Sequence, residues 1–226
     1  MTLSLTLARM CSMTYGDIDP TVQFDGHLFT TKSFQYENAV GVAFENERFV
    51  IIAFRGTDDI KDVCSDIRIS GVPFKDVGQV HCGFLEEYLK VKPFVDTLCL
   101  QTRKQLIFTG HSLGGSMAYL AACDFIDQAP MCVVTFGMPR TATYEFIINP
   151  KFSHLTVVRW VNSRDIVVRL PSLRFSHCGS ARHLEDERGK LRRVFRRRAY
   201  HKIKHYVKSL SRKKDLILLP YEKLLF

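Results

Sequence analysis

The sequence of 226 residues contains no uncharged apolar run of roughly 18 residues or more, so no transmembrane helix is expected. Its seven cysteines, Cys11, Cys64, Cys82, Cys99, Cys123, Cys132 and Cys178, are odd in number and scattered. No CxxC pair or other metal-ligand spacing occurs, which argues against a zinc site and a disulfide framework and points to free thiols in a reducing compartment. The N-terminal stretch has no charged leading region and no small-residue cleavage site, and Arg9 interrupts its apolar residues. An intracellular protein, at most peripheral to a membrane, is the expectation. A phosphate-binding glycine loop is also missing, so neither a cofactor nor a metal is expected.

What is present is core material. Apolar residues make up 46% of the chain and phenylalanine alone counts 17, enough to cover both faces of a central sheet. The length suits a single domain over 1–226. The net charge of +9 is not spread evenly, because residues 188–214 hold 13 Lys and Arg and no acidic residue. The rest of the chain is mildly acidic. Such a basic segment implies an anionic surface as partner, a membrane before nucleic acid, which is not expected here.

Apolar periodicity predicts a helix over residues 3–15, with Leu3, Leu7, Met10 and Cys11 on one side and Gly16-Asp17 ending it. Val40 to Glu45 and Phe49 to Phe54 read as a hairpin around Asn46-Glu47. Gly71, Pro73 and Gly78 mark a surface loop. A helix opened by HCGF (81–84) and reaching about Leu100, a strand over 104–109, a helix over 113–126 and buried strands at 133–136 and 155–161 follow. A helical or irregular link lies around Thr141 to Ile148. Alternation of strand and helix predicts an α/β protein with a mostly parallel sheet flanked by helices. The tail is expected to form an amphipathic helix from about 199 to 211, with Tyr200, Ile203, Val207 and Leu210 inward.

Gly110-His111-Ser112-Leu113-Gly114 fits GxSxG, a pattern that chance supplies in roughly one chain in ten of this length. Its setting carries more weight. A strand precedes it and a small-residue helix follows, as required where a serine is exposed on a sharp strand-to-helix turn. Gly110 and Gly114 are expected because a Cβ at either would strike the neighbouring strand or helix. The helix N-terminus favours negative charge developing at the serine.

The chain resembles the class 3, or fungal-type, lipases over residues 36–210. The marks are FRGT at 54–57, VHCGF at 80–84, TGHSLGG at 109–115, TFGMPR at 135–140, VNSRDIVVRLP at 161–171 and HKIKHYVKSL at 201–210. The resemblance implies the α/β-hydrolase fold and a serine, aspartate, histidine order along the chain. It gives Ser112 as nucleophile, Asp165 as the carboxylate and His201 as base, since His201, Tyr206 and Leu210 fit the family's spacing. His177 and His205 stay open as alternative bases. Thr57 and the backbone N–H of Leu113 are the implied oxyanion donors, and Arg55 a structural residue. The substrate implied is a glycerolipid acyl ester, with phospholipid or monoacylglycerol on an anionic membrane as the alternative. The family's lid stretch is short and charged here, Asp58 to Val63, which argues against strong interfacial activation. Asp66 would support that turn. Trp160 is read as packing. A binding protein on an inactive lipase fold predicts a missing triad member, whereas all three members have candidates.

Overall fold

The computed structural model describes residues 2–57, 70–128, 132–162, 165–171, 173–184 and 201–213. The lid stretch, Asp66, Cys64, Tyr200 and most of the basic segment lie outside the described residues. Helix α1 (Leu3–Met13) comes first, followed by strands β1 (Thr21–Phe24), β2 (His27–Tyr36), β3 (Ala39–Glu45) and β4 (Phe49–Phe54). Next are β5 (Gly71–Phe74), β6 (Gly78–His81), α2 (Cys82–Cys99), β7 (Gln105–His111), α3 (Leu113–Asp124) and β8 (Cys132–Phe136). The short α4 (Tyr144–Ile147), β9 (Val157–Asn162), β10 (Ser180–Leu184) and α5 (Ile203–Arg212) complete the described elements.

Eight strands form one sheet in the order β1-β2-β3-β4-β7-β8-β9-β10. The first four run as an antiparallel meander, and from β4 to β10 every pair is parallel. The β3–β4 turn is closed by the Asn46 side chain, which accepts from the amides of Arg48 and Phe49 at 2.9 and 2.8 Å. Strand β4 is buried at every position because helices cover both faces. Val50, Ile52 and Phe54 face one core with Tyr88 and Val91 of α2 and Leu120 of α3. Phe49, Ile51 and Ala53 face the other, with Leu3, Leu7 and Met10 of α1 and Tyr206 and Leu210 of α5.

Trp160 belongs to this second core, in keeping with a packing role. The expected stripe of α5 is adjusted: Ile203, Tyr206 and Leu210 are buried, while Val207 is only partly so. Five further strands were not expected. The edge strands β1 and β2 extend the sheet at one side, β10 extends it at the other, and the loop around Pro73 is a small β5–β6 hairpin. Among the described residues no helix is long and apolar enough to cross a membrane.

A charged cluster fastens the far end of α3. Asp124 meets Lys75 Nζ at 2.6 Å and Lys92 Nζ at 2.7 Å, and accepts a hydrogen bond from the Tyr88 hydroxyl at 2.8 Å. Burial alone would raise the Asp124 pKa, but the two lysines and the phenol outweigh it and hold it below the usual carboxylate value. The β5–β6 turn, α2 and α3 are thereby pinned together. Because the folded pKa is depressed, the associated stability is present above the ordinary value of 3.8 and is lost as the pH falls through the folded value. Asp124→Asn is expected to lower unfolding free energy at neutral pH by about 1–3 kcal/mol, and the difference from wild type should shrink on acidification. Denaturant melts over that range check both; a gap that stays constant would show that ionisation of Asp124 contributes nothing.

Candidate active site

Strand β7 ends at His111 and α3 begins at Leu113, leaving Ser112 alone between them with φ 57° and ψ −128°. This is the left-handed region, which a non-glycine residue occupies only when its surroundings hold it there. Ser112 N–H donates to the Phe136 carbonyl at 2.9 Å, and its own carbonyl accepts from Gly115 N–H at 2.9 Å. The flanking glycines permit the approach. A Cβ on Gly110 would strike the Gly114 carbonyl, and one on Gly114 the Phe54 carbonyl, so helix and strands touch through bare backbone as expected.

Asp165 stands just beyond β9, its N–H donating to the Asn162 carbonyl at 2.9 Å. Its Oδ1 accepts from Val167 N–H at 2.9 Å. Oδ2 lies 2.7 Å from His201 Nδ1 and accepts from the Tyr206 hydroxyl at 2.6 Å. His201, immediately ahead of α5, places Nε2 2.6 Å from Ser112 Oγ. Ser112, His201 and Asp165 are all buried. A carboxylate, an imidazole and a hydroxyl thus form one hydrogen-bonded chain in which the serine proton has an acceptor and the ring a fixed orientation.

The other candidates fall around this chain or away from it. Gly56 packs against the elbow so closely that a Cβ there would come within 2.9 Å of Ser112 Cβ, and Thr57 follows it directly. Leu113 is the first residue of α3, so its N–H has no intrahelical acceptor. His177 is committed elsewhere: Nε2 is 2.6 Å from the Val168 carbonyl, and burial followed by Arg159 lowers its pKa to about 4. The hydrogen bonds to Ser112 and Asp165 come from His201, not from the half-buried His205. His81, of the VHCGF mark, is stacked with its ring centroid 4.0 Å from that of Phe84, and burial lowers its pKa to about 4. Arg55 sits over the Tyr15 ring, its guanidinium carbon 5.2 Å from the centroid.

Two residues joined to the site had no role assigned from sequence. Tyr206 donates to Asp165 while accepting from Asn162 N–H at 3.2 Å, and burial, then Asp165, push its pKa well above the usual phenol value, so it keeps its proton. Gly137, in TFGMPR, has φ 66°, and a Cβ there would stand 2.8 Å from Asp165 Oδ2 and 3.1 Å from His201 Cε1. The spacing from His201 to Tyr206 was the one signal available for the first. For the second only the glycine itself was.

A doubly covered sheet with a serine elbow at the carboxyl end of a parallel strand, an aspartate just beyond a later strand and a histidine just ahead of the last described helix is the α/β-hydrolase arrangement. The family model described as lipase (class 3) matches residues 51–175. A lipase of Rhizopus niveus is 30% identical over 172 residues, covering 69% of this chain and 44% of that protein. Phospholipase A1-IIalpha of Arabidopsis thaliana is 26% identical over 218 residues, covering 77% of this chain and 51% of its own. The structure of the triacylglyceride lipase of Rhizomucor miehei superposes with a TM-score of 0.61 at 25% identity, covering 70% of this chain and 67% of that one. The chain belongs to the class 3 lipase family. It spans about half the length of the curated relatives it matches.

Tyr206→Phe removes one donor from Asp165 and one acceptor from the buried Asn162 N–H. A loss of about 1–2 kcal/mol in unfolding free energy is expected. Urea denaturation of the two proteins measures it, and equal midpoints with equal slopes would mean that the phenol oxygen stabilises nothing.

Proposed function

We propose that this chain hydrolyses acyl esters of glycerolipids through an acyl-enzyme on Ser112. The observation that supports this most is the Asp165–His201–Ser112 hydrogen-bond chain ending on a serine in a strained elbow. In the first step Ser112 Oγ attacks the ester carbonyl carbon as its proton passes to His201 Nε2. Asp165, bonded to Nδ1, orients the ring and stabilises the imidazolium. The carbonyl oxygen becomes an oxyanion facing Leu113 N–H and Thr57, at the N-terminus of α3. Collapse of this intermediate expels the alcohol, which takes the proton from Nε2. Water then attacks the acyl-enzyme with His201 Nε2 accepting its proton, and collapse releases the fatty acid as that proton returns to Ser112 Oγ.

The Rhizopus niveus and Rhizomucor miehei relatives are named as lipases and the Arabidopsis thaliana relative as a phospholipase A1, which supports a glycerolipid ester as substrate. One observation favours the phospholipid reading. Helix α5 begins next to His201, and Lys202, Lys204, Lys208, Arg212 and Lys213 are all exposed along it. Cations so close to the base would hold the enzyme on an anionic bilayer, at about 1 kcal/mol for each near the surface. The six described cysteines are free thiols, which supports an intracellular site of action.

A fluorophosphonate probe should label Ser112 alone, located by peptide mapping, and Ser112→Ala should abolish hydrolysis of long-chain p-nitrophenyl esters. Asp165→Asn should reduce kcat on the order of 10⁴-fold. Labelling at another residue, or none on folded protein, would remove the hydrolase reading. Sedimentation with vesicles of anionic and neutral phospholipid separates the substrates' surfaces: binding indifferent to headgroup charge and salt would leave the phospholipid reading unsupported.

A further inference from the structure

His111 takes no part in the proton transfers above, yet it is buried beside them, its ring centroid 4.7 Å from that of His201. Its Nδ1 lies 2.7 Å from the Tyr15 hydroxyl and its Nε2 2.5 Å from the backbone carbonyl of His201. The Tyr15 oxygen also accepts from Gly56 N–H at 3.1 Å. Tyr15 after α1, His111 at the end of β7 and His201 ahead of α5 therefore meet at this ring, and Gly56 of the turn after β4 is joined to it through Tyr15.

The His201 carbonyl fixes the proton directions. A carbonyl oxygen can only accept, so the ring proton sits on Nε2 and points at His201. In a neutral ring Nδ1 is then bare, and it accepts from the Tyr15 hydroxyl, whose oxygen also accepts from Gly56 N–H. Burial, then the neighbouring His201, holds the His111 pKa well below the usual imidazole range, in agreement with a neutral ring. A neutral neighbour adds no repulsion when His201 takes up the serine proton.

We propose that His111 and Tyr15 are positioning residues, a Gly56–Tyr15–His111–His201 relay in which neutral His111 holds the backbone of the base while Tyr15 holds the turn that carries Thr57. The side chain of His201 is fixed at Nδ1 by Asp165, and its main chain by His111. Losing the second anchor lets the ring tilt away from Ser112 Oγ without removing any reacting group. The relay rests on the hydrolase reading for its catalytic consequence, but not for its hydrogen-bond directions.

The test uses three substitutions at position 111 and one at 15. A glutamine amide nitrogen reaches the place of Nε2, whereas an asparagine nitrogen reaches only that of Nδ1. His111→Leu and His111→Asn should lower kcat by about tenfold or more with KM changed by less than about twofold, and His111→Gln should recover most of the loss. Tyr15→Phe, which deletes one oxygen, should fall between, and it carries the test if the substitutions at position 111 fail to fold. Nitrogen-15 NMR of wild type at neutral pH should show His111 with its proton on Nε2. A folded His111→Leu or Tyr15→Phe protein with wild-type kcat overturns the relay, as does a ring proton on Nδ1. Wild-type protein that neither hydrolyses esters nor reacts with the fluorophosphonate overturns the hydrolase reading instead, and leaves the tautomer as the judge of the relay.

Discussion

Everything at the site depends on one unfavourable backbone conformation, that of Ser112. A non-glycine residue in the left-handed region costs about 1–3 kcal/mol, and the chain tolerates it only where the surroundings leave no alternative. Here the constraint is steric and comes from several sides. Strand β7 and helix α3 approach through Gly110 and Gly114, α3 meets the end of β4 through Gly114, and the Ser112 amide is tied to the end of β8. Straightening the serine would require the strands and α3 to separate, which the two cores on either face of the sheet oppose.

The same geometry explains why the remaining groups arrive from separate parts of the chain. Parallel strands present their carboxyl ends on one edge, so the turn after β4, the elbow after β7, Gly137 after β8 and Asp165 after β9 gather without long excursions. His201 is different: it stands just ahead of α5 and does not directly follow any described strand of the sheet. It is held by Asp165 at its ring and by the docking of α5, whose Ile203, Tyr206 and Leu210 enter the core shared with α1. Tyr206 serves both purposes, since its ring fills that core and its hydroxyl reaches Asp165.

Legibility from sequence followed the same divide. The central strands were readable because they are buried on both faces and appear as unbroken apolar runs, and the elbow because its strand, glycines and helix are contiguous. Strand β2 was not readable because Phe29 and Phe34 face opposite cores while most of its other residues are exposed, so no alternation appears. Strand β10 has one buried residue in five, and the β5–β6 hairpin holds a proline and two glycines. Asp165 could be placed from its strand, but the choice among His177, His201 and His205 depended on which one the packing of α5 brings to Asp165. His111 could be seen only as part of a motif, since its partners at positions 15 and 201 are joined to it by folding alone.

The 89 residues between Ser112 and His201 have a temporal meaning. A ribosome completes the elbow well before it reaches His201, so the nascent chain carries the serine before the imidazole that faces it exists. The Asp165–His201–Ser112 hydrogen-bond chain closes only when α5 docks against α1 in the second core.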